Sequence, residues 1–388
     1  MKSEWSTMKA SDFIEFNPRL SLKKGTLATK IAMDKLQPFT KRIDITEKAL
    51  YSGGAKFCNG DTILARITPC LENGKTAFVD ILQEGEVGFG STEFIVMRAK
   101  EGVSDPQFVY YVATSPFFRE RAIQSMVGSS GRQRVQQSVI ENLELSVPPL
   151  QIQKEIGSFL SEIDKKIAIN NQINDNLELQ AQSLVTEYIE KTPYTTHLSD
   201  IITFDNGFAF QSKTYLKQGK YKIITIKNVQ DGRIDSTGTA FINELPQCVR
   251  ENCILSIGDI LLSLTGNVGR VGIVYEKNLL LNQRVARVVP FDKRLLPFLY
   301  FVFRQPSIKT QLEMIAKGTA QLNLSPIEAL NLTISYEQSS ATALSQSLEA
   351  LYKIIISNQQ ENLLLAQLRD TLLPKLMSGK IDVSSVQL

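Results

Sequence analysis

One stretch of this chain decides how the rest can fold: PPLQIQKEIGSFLSEIDKKIAINNQINDNLELQAQSLVTEY, residues 148–188. The two leading prolines force extended backbone before them, and no other proline follows within the stretch. Apolar residues recur at alternating spacings of four and three, at Ile156, Leu160, Ile163, Ile167, Leu177, Ala181, Leu184 and Tyr188. Two positions of this seam, Asn170 and Asn174, are polar instead. The spacing predicts a long helix whose narrow apolar seam must be covered by another helix.

The same seam returns 188 residues later. Its positions are Leu344, Leu348, Leu351, Ile355, Asn358, Asn362, Leu365, Leu372 and Leu376, and only Arg369, the counterpart of Ala181, breaks the match. An asparagine in a seam is unfavourable unless another polar group meets it, so the repeated pair predicts that the two helices are partners. Because each helix follows a globular segment of the same chain, antiparallel packing satisfies the connectivity. The alternative is a pair of unrelated core helices.

The segments in front of the two helices also repeat one another. Gly60–Leu64 returns as Gly258–Leu262 at an offset of 198, and Ser138–Leu143 returns as Ser325–Leu330 at an offset of 187. Each Gly-Asp pair is predicted to form a turn that leads into a strand, and Pro106–Gln124 is predicted to be helical. The duplication predicts the order globule, helix, globule, helix.

Composition excludes several classes of protein. The 388 residues leave room for two or three domains, and 43% hydrophobic with 21% charged residues is typical of a globular protein. No apolar run reaches the roughly 18 residues of a membrane span, and Met1–Trp5 does not open a signal peptide. Four cysteines without CxxC spacing and a single histidine disfavour a zinc site, so we expect free buried thiols in a reducing cytosol.

Positive charge is concentrated in the globular segments. Residues 1–149 carry 19 basic and 17 acidic side chains, residues 193–335 carry 16 and 11, and the two helical segments together sum to −4. A basic excess is typical of proteins that bind polyanions, although it is a weak signal when taken alone.

Sequence motifs for catalysis are missing. Gly74-Lys75-Thr76 resembles the end of a phosphate-binding loop, but Pro69 stands where that loop needs a glycine. Asn17–Leu20 lacks the second proline and the aromatic residue with which amino-methyltransferases hold a flipped base. His197 is the single histidine and lies in a linker, and Asp61 recurs after a glycine in the second repeat, which favours a turn role over a metal site. We therefore predict no catalytic residue, no metal and no cofactor.

This duplicated plan resembles the DNA-specificity subunit of type I restriction-modification enzymes over the whole chain. The resemblance is carried by the two Gly-Asp strands, by the turns at Gly131 and Gly318, by the helix entry Leu145–Ile156 and by the ending Leu372–Ile381. That family usually repeats the proline-rich entry before the second helix, whereas residues 334–338 of this chain contain no proline.

The resemblance implies an α+β fold with two duplicated mixed α/β target-recognition domains, separated by two long antiparallel coiled-coil helices. The recognition domains would be residues 1–149 and 193–335, and the helical spacers residues 150–192 and 336–388. Each recognition domain would read half of a split target in double-stranded DNA, and the helices would act as a ruler. A length change near Asn176 would then need a matching one near Leu364.

The resemblance also implies partners. Modification subunits, which bind the methyl donor, would dock against the helices, and a restriction subunit with a motor could join them in the cytoplasm, away from any membrane. The chain itself would be non-catalytic. The alternative is a coiled-coil scaffold or adaptor that binds only protein, against which the basic globules argue.

Candidate DNA contacts are side chains suited to phosphates or to base edges. Lys and Arg neutralise phosphates, Arg reads guanine, and Asn or Gln reads adenine. The first recognition domain offers Arg66, Lys75, Arg132, Gln133 and Arg134, and the second offers Asn267, Arg270, Gln283, Arg284, Lys317 and Gln321.

Overall fold

The computed structural model describes residues 5–129, 131–318 and 322–386. Contacts divide the chain into two units. The first takes the chain up to Ala168 and again from Leu364 onward, and the second is Ile169–Leu363. Each unit therefore contains one globular segment together with part of each long helix.

The first unit combines two sheets, a two-stranded ribbon and helices. Its strands are β1 (Ser6–Lys9), β2 (Ile14–Phe16), β3 (Leu27–Ile31), β4 (Glu47–Leu50), β5 (Lys56–Phe57), β6 (Thr62–Ala65), β7 (Thr76–Phe78), β8 (Gly88–Gly90), β9 (Phe94–Ala99) and β10 (Glu144–Val147). Its helices are α1 (Ala10–Phe13), α2 (Pro106–Thr114), α3 (Pro116–Gln124), α4 (Gln137–Glu141) and the first part of α5 (Leu150–Lys191). The sheets have the orders β2-β9-β6-β7 and β4-β3-β8-β5, and β1 pairs with β10.

The second unit repeats this plan with one larger sheet. Its strands are β11 (Thr195–His197), β12 (Ile202–Asn206), β13 (Tyr221–Ile224), β14 (Gly232–Arg233), β15 (Phe241–Ile242), β16 (Ile260–Ser263), β17 (Val271–Ile273), β18 (Leu279–Leu281), β19 (Val285–Pro290) and β20 (Thr333–Ser335). Its helices are α6 (Leu296–Phe303), α7 (Pro306–Ile315), α8 (Pro326–Leu330) and most of α9 (Gln338–Met377). The sheets have the orders β12-β19-β16-β17-β14 and β15-β13-β18, and β11 pairs with β20.

The repeated Gly-Asp turn is structural, as its recurrence predicts. Gly60 and Gly258 both have a φ of +90°, a conformation that favours glycine. The Asp61 carboxylate accepts the backbone N–H of Cys58 at 2.8 Å, and Asp259 accepts that of Ser256 at 2.8 Å. Each turn therefore closes on its own aspartate before the chain enters a buried strand.

Each of these aspartates also forms a partly buried ion pair with an arginine. Arg98 donates to both oxygens of Asp61 at 2.7 Å, and Arg287 donates to Asp259 at 3.1 Å. Thr62 pairs with Met97, so the next position along the two strands places Arg98 opposite Asp61 itself. Arg287 instead pairs with Leu261, which is two residues beyond Asp259. The two arginines therefore differ by two positions in strand register. A shift of two keeps a side chain on the same face of a sheet, which lets both arginines serve the same role.

Two details of the sequence prediction are wrong. The predicted helix Pro106–Gln124 is two helices, because Ser115 is extended, ends α2 and caps α3, and Pro116 begins α3. Hydrogen bonding also makes Leu143 the equivalent of Leu332, because their carbonyls accept from Ala10 and Leu198 at 2.9 Å each. The offset at this point is therefore 189 rather than 187.

The asparagines of the two seams meet, which confirms the predicted helix pairing. Asn170 donates to Asn362 at 2.9 Å, and Asn358 donates to Asn174 at 2.8 Å. The partner number falls as the residue number rises, so the helices are antiparallel. Asn362 also donates to Asn171 at 2.9 Å, which leaves the amides of this polar layer largely satisfied.

A buried polar cluster fixes the globular part of the first unit to its helices. Arg369, the charged exception in the second seam, donates to Asp164 at 2.6 Å, and Tyr111 donates to the other Asp164 oxygen at 2.6 Å. Lys41 reaches Ser161 at 2.8 Å, and its burial lowers its pKa to about 8. Arg369 therefore interrupts the apolar seam because its guanidinium forms an ion pair with Asp164.

The second unit has its own connection between helix and globule. Glu178 on α5 accepts from Arg304 at 2.5 Å and from the Tyr300 hydroxyl at 2.7 Å. Burial raises the pKa of that hydroxyl well above its usual value, so Tyr300 acts as a neutral donor.

Candidate nucleic-acid interface

In the first unit, a short antiparallel bridge closes a loop that carries three of the predicted DNA-contacting residues. Val127 and Arg134 exchange two backbone hydrogen bonds, of 3.0 and 2.9 Å, and enclose residues 128–133. The Gln133 carbonyl accepts the Thr68 N–H at 3.0 Å, which ties this loop to the loop that follows β6. The structure therefore brings Arg66, at the end of β6, to the base of the Arg134 loop.

Glu93 joins the two arginines. One carboxylate oxygen of Glu93 accepts from Arg134 Nη2 at 2.7 Å and Nε at 3.0 Å, and the other accepts from Arg66 Nε at 3.2 Å. These hydrogen bonds lower the pKa of Glu93, so it is ionised at neutral pH. Two positive charges and one negative charge leave the cluster with a net charge of +1. Glu93 was missed in the sequence because no spacing motif marks it.

The other predicted residues of the first unit lie in different environments. Arg132 is exposed, and its side chain has no hydrogen-bond or ion-pair partner among the residues that the structure describes. Gln133 is half-buried. Lys75 donates to the Met33 carbonyl at 2.9 Å, so its ammonium is partly committed within the unit.

The second unit has an equivalent loop that is one residue shorter. Lys317 and Asn323 exchange backbone hydrogen bonds of 2.9 and 2.8 Å and enclose residues 318–322. Asn323 also accepts from the Thr265 hydroxyl at 2.9 Å. The Lys317 side chain is exposed and forms an ion pair with Glu328. Gln321 lies outside the described residues.

Arg284 takes the backbone position in this unit that Glu93 has in the first. The Arg66 N–H donates to the Glu93 carbonyl at 2.9 Å, and the Leu264 N–H donates to the Arg284 carbonyl at 3.0 Å. Arg284 is exposed and has a φ of +70°, which is uncommon for a side chain of its size. A negative residue at the base of one loop is thus replaced by a positive residue at the base of the other.

The remaining predicted residues lie on neighbouring turns of the second unit. Gln283 is exposed, and its backbone N–H donates to the Phe208 carbonyl at 3.0 Å. Asn267 is exposed in the turn between β16 and β17. Arg270 is half-buried and donates to the Gln230 side chain at 2.9 Å.

This arrangement offers hydrogen bonding and charge. Across residues 5–129, 131–318 and 322–386, no group of three or more His, Cys, Asp or Glu side chains could hold a metal ion. No helix in this described part is long and apolar enough to span a membrane. Arginine, amide and lysine side chains on paired loops are the donors and acceptors that read base edges and phosphates.

Two globular segments with equivalent but unlike loops, joined by paired helices, define a duplicated nucleic-acid recognition protein. A family profile described as the type I restriction modification DNA specificity domain matches residues 2–179 and again residues 194–365. The chain belongs to this family, as its motifs predict.

Individual relatives agree with this assignment. The chain is 22% identical to the MjaVIII specificity subunit of Methanocaldococcus jannaschii, over 99% of this chain and 94% of that protein. It is 22% identical to the HindI specificity subunit of Haemophilus influenzae, over 83% of this chain and 86% of that protein. Its fold is similar to a type I S subunit from M. genitalium, with a TM-score of 0.55, 18% identity and 96% of each chain covered.

Proposed function

We propose that this chain is the subunit that gives a type I restriction-modification complex its DNA target. Residues 1–149 would read one part of the target and residues 193–335 the other, with 150–192 and 336–388 as helical spacers. The observation that carries the proposal is the pair of equivalent loops, Val127–Arg134 and Lys317–Asn323, in a chain that matches the family twice. A chain that reads two different half-sequences needs two recognition segments with unlike loops.

The two loops share one kind of contact and differ in another. Arg132 and Lys317 are exposed cations suited to phosphate contact, whereas the oriented Arg66 and Arg134 are suited to the O6 and N7 atoms of guanine. In the second unit, Arg284 places an exposed positive charge at the loop base. Lys75, Gln133, Asn267, Arg270, Gln283 and Gln321 complete the proposed set of contacts.

The chemistry of methyl transfer belongs to partners in this proposal. The chain would be non-catalytic, would hold no cofactor and would work in the cytoplasm with modification subunits and, in the full system, a restriction subunit. The helices offer apolar surface for such docking: Ile169, Ile173 and Ile354 are 50%, 40% and 43% exposed. Exposed isoleucines one helical turn apart are typical of a protein-binding face.

Methylome sequencing tests the proposal directly. The modification subunit of the same system would be expressed in a host without methylation, with and without this chain. We expect a two-part methylated sequence only when both are present. Methylation by this chain alone would refute the non-catalytic assignment, and an unchanged methylome with both would refute the proposed function. If the chain is instead an adaptor, it will bind the partner without changing which sites are methylated.

A further inference from the structure

An open groove in the second unit lies between the end of α5 and the start of α9. It has a volume of about 470 Å³ and is lined by Leu184, Glu187, Tyr188, Lys191, Thr192, Pro193, Tyr194, Glu337, Ser340 and Leu344. Leu184 belongs to the helical seam and is predicted to be covered, yet it is 41% exposed. Tyr194 is 66% exposed. An exposed seam residue beside an exposed aromatic ring marks surface that is suited to a partner.

The equivalent positions of the first unit are covered. Leu372, the counterpart of Leu184, is 8% exposed, and Ile156, the counterpart of Leu344, is buried. Trp5 immediately precedes β1 as Tyr194 immediately precedes β11, and Trp5 is half-buried in the same core cluster. Leu184 and Tyr194 are therefore exposed where Leu372 is buried and Trp5 is half-buried, and Leu344 is half-buried where Ile156 is buried.

The segment that follows α9 accounts for this difference. Val383 is buried in the core cluster that contains Leu372, and Ile381 and Val386 pack against that cluster. Gly379 approaches Trp5 so closely that an added Cβ would lie 3.2 Å from the indole ring. In the second unit, α5 ends at Lys191 and β11 begins at Thr195, so α5 is followed by three residues and a strand where α9 is followed by the covering segment.

We propose that a short aliphatic segment of the modification subunit fills the groove at Leu184, Tyr188, Tyr194 and Leu344. This inference rests on the proposed function. The first unit indicates the chemistry of the filling segment, which is aliphatic side chains spaced as in Ile381, Val383 and Val386. The chain's own segment is already packed in its unit, so the filler comes from another molecule. A second copy would have to uncover its own core to fill this groove and would gain no net burial, which favours a different protein.

The groove also holds a polar edge that fixes the position of the filler. The Glu337 N–H donates to the Tyr188 hydroxyl at 2.9 Å, and the Glu337 carboxylate accepts from the backbone of Ser339 and Ser340 at 3.0 and 2.8 Å. Hydrogen bonds from the Ser340 hydroxyl at 2.7 Å, from these backbone N–H groups and from the Ser339 hydroxyl lower the pKa of Glu337 to about 2, so this carboxylate is negatively charged at neutral pH. A cationic residue in front of the aliphatic positions, as Lys380 stands before Ile381, would suit this edge.

The test measures binding of the purified modification subunit to the full chain. Leu184→Glu and Tyr194→Ala should each weaken binding by about tenfold or more, because a buried anchor side chain contributes on this scale. Met314→Glu is the control, since Met314 is an exposed apolar residue of the same unit outside the groove, and it should leave binding unchanged. Thermal unfolding of each variant checks that the fold is kept, and Leu184→Ala replaces the glutamate if it is not.

A photo-crosslinking arm identifies the occupant. With p-benzoylphenylalanine in place of Tyr194, a crosslink to the modification subunit within the assembled complex supports the inference. A crosslink only to a second copy of this chain, or none in an assembled complex, overturns it. Equal binding by wild type and both groove variants also overturns it, while leaving the proposed function intact. Failure of the wild-type chain to bind the modification subunit counts against the proposed function instead.

Discussion

Replacing Glu93 by glutamine should separate DNA specificity from DNA affinity. The carboxylate of Glu93 accepts from Arg66 at 3.2 Å and from Arg134 at 2.7 Å, and both arginines thereby have a fixed orientation. Glutamine keeps the shape but exchanges one acceptor oxygen for an NH2 donor, which would face guanidinium donors. At most one of the two guanidinium groups can then keep its acceptor, so at least one should lose its fixed orientation.

Two effects of opposite sign follow from this change. The net charge of the cluster rises from +1 to +2, so non-specific DNA binding should strengthen and the slope of log affinity against log salt should steepen by up to about one. Discrimination at one half of the target should fall by about 1–3 kcal/mol per oriented base contact, which is roughly 5- to 150-fold. The free energy of unfolding should change by about 1 kcal/mol or less, because Arg66 and Arg134 are 34% and 48% exposed.

The assay compares binding to duplexes that carry single-base changes in either half of the target at several salt concentrations. Glu86→Gln is a matched control, because Glu86 is a carboxylate of the same unit that pairs with Lys48 at 2.7 Å. It makes the same change in net charge without touching Arg66 or Arg134. If both variants discriminate bases equally well, Glu93 does not orient the reading side chains and the reasoning fails.

Three further predictions concern the loop, the buried lysine and the helices. Arg132→Ala should lower the salt slope by about one and weaken binding similarly for all sequences, as measured by titration against specific and unrelated duplexes. The pKa of Lys41 is about 8 in the folded protein and 10.5 in the unfolded chain, so the unfolded chain binds more protons between these values. The unfolding free energy of the wild type, measured in denaturant melts, should therefore rise relative to that of Lys41→Met as the pH increases from about 8 to 10.5. Below pH 8 the difference should not depend on pH. Four residues inserted near Asn176 and four near Ile356 should lengthen the helices by about 6 Å and widen the gap in the methylated sequence by about two base pairs, with both half-sequences unchanged.

The last of these designs shows where sequence reasoning fell short. The repeat makes Leu364 the counterpart of Asn176, and a matching insertion there follows from the repeat alone. The observed register pairs Asn170 with Asn362 and Asn174 with Asn358, which places Ile356 opposite Asn176. In two antiparallel helices that repeat the same sequence pattern, residues at equivalent repeat positions do not lie opposite one another. Only the hydrogen bonds between the helices show which residues are opposite.

Other features were predictable because they depend on local pattern. The seam spacing predicted both long helices, and the repeated asparagines predicted their pairing. The two Gly-Asp turns are local and closed by their own aspartates, so they too could be recognised. Pro116 could have indicated the break between α2 and α3, since proline after an N-cap residue begins a helix.

The loop chemistry could not be predicted in the same way. Glu93 is distant in sequence from both arginines it binds, and nothing in its neighbours marks it as their partner. The equivalence of Glu93 and Arg284 depends on two backbone hydrogen bonds, from Arg66 and Leu264. The covered and open grooves likewise depend on tertiary packing after Met377 rather than on the seam itself.

The duplication keeps some positions and changes others, and this division agrees with the proposed division of labour. The Gly-Asp turns, their arginine partners and the seam asparagines recur, and all of them are internal supports of a unit. The loop bases do not recur, because Glu93 is replaced by Arg284 and the second loop is one residue shorter. A protein that presents two different recognition loops on one framework needs internal contacts that are the same in both units and loops that differ. A chain built this way is suited to a target whose two parts differ in sequence, which a symmetric pair of identical readers could not distinguish.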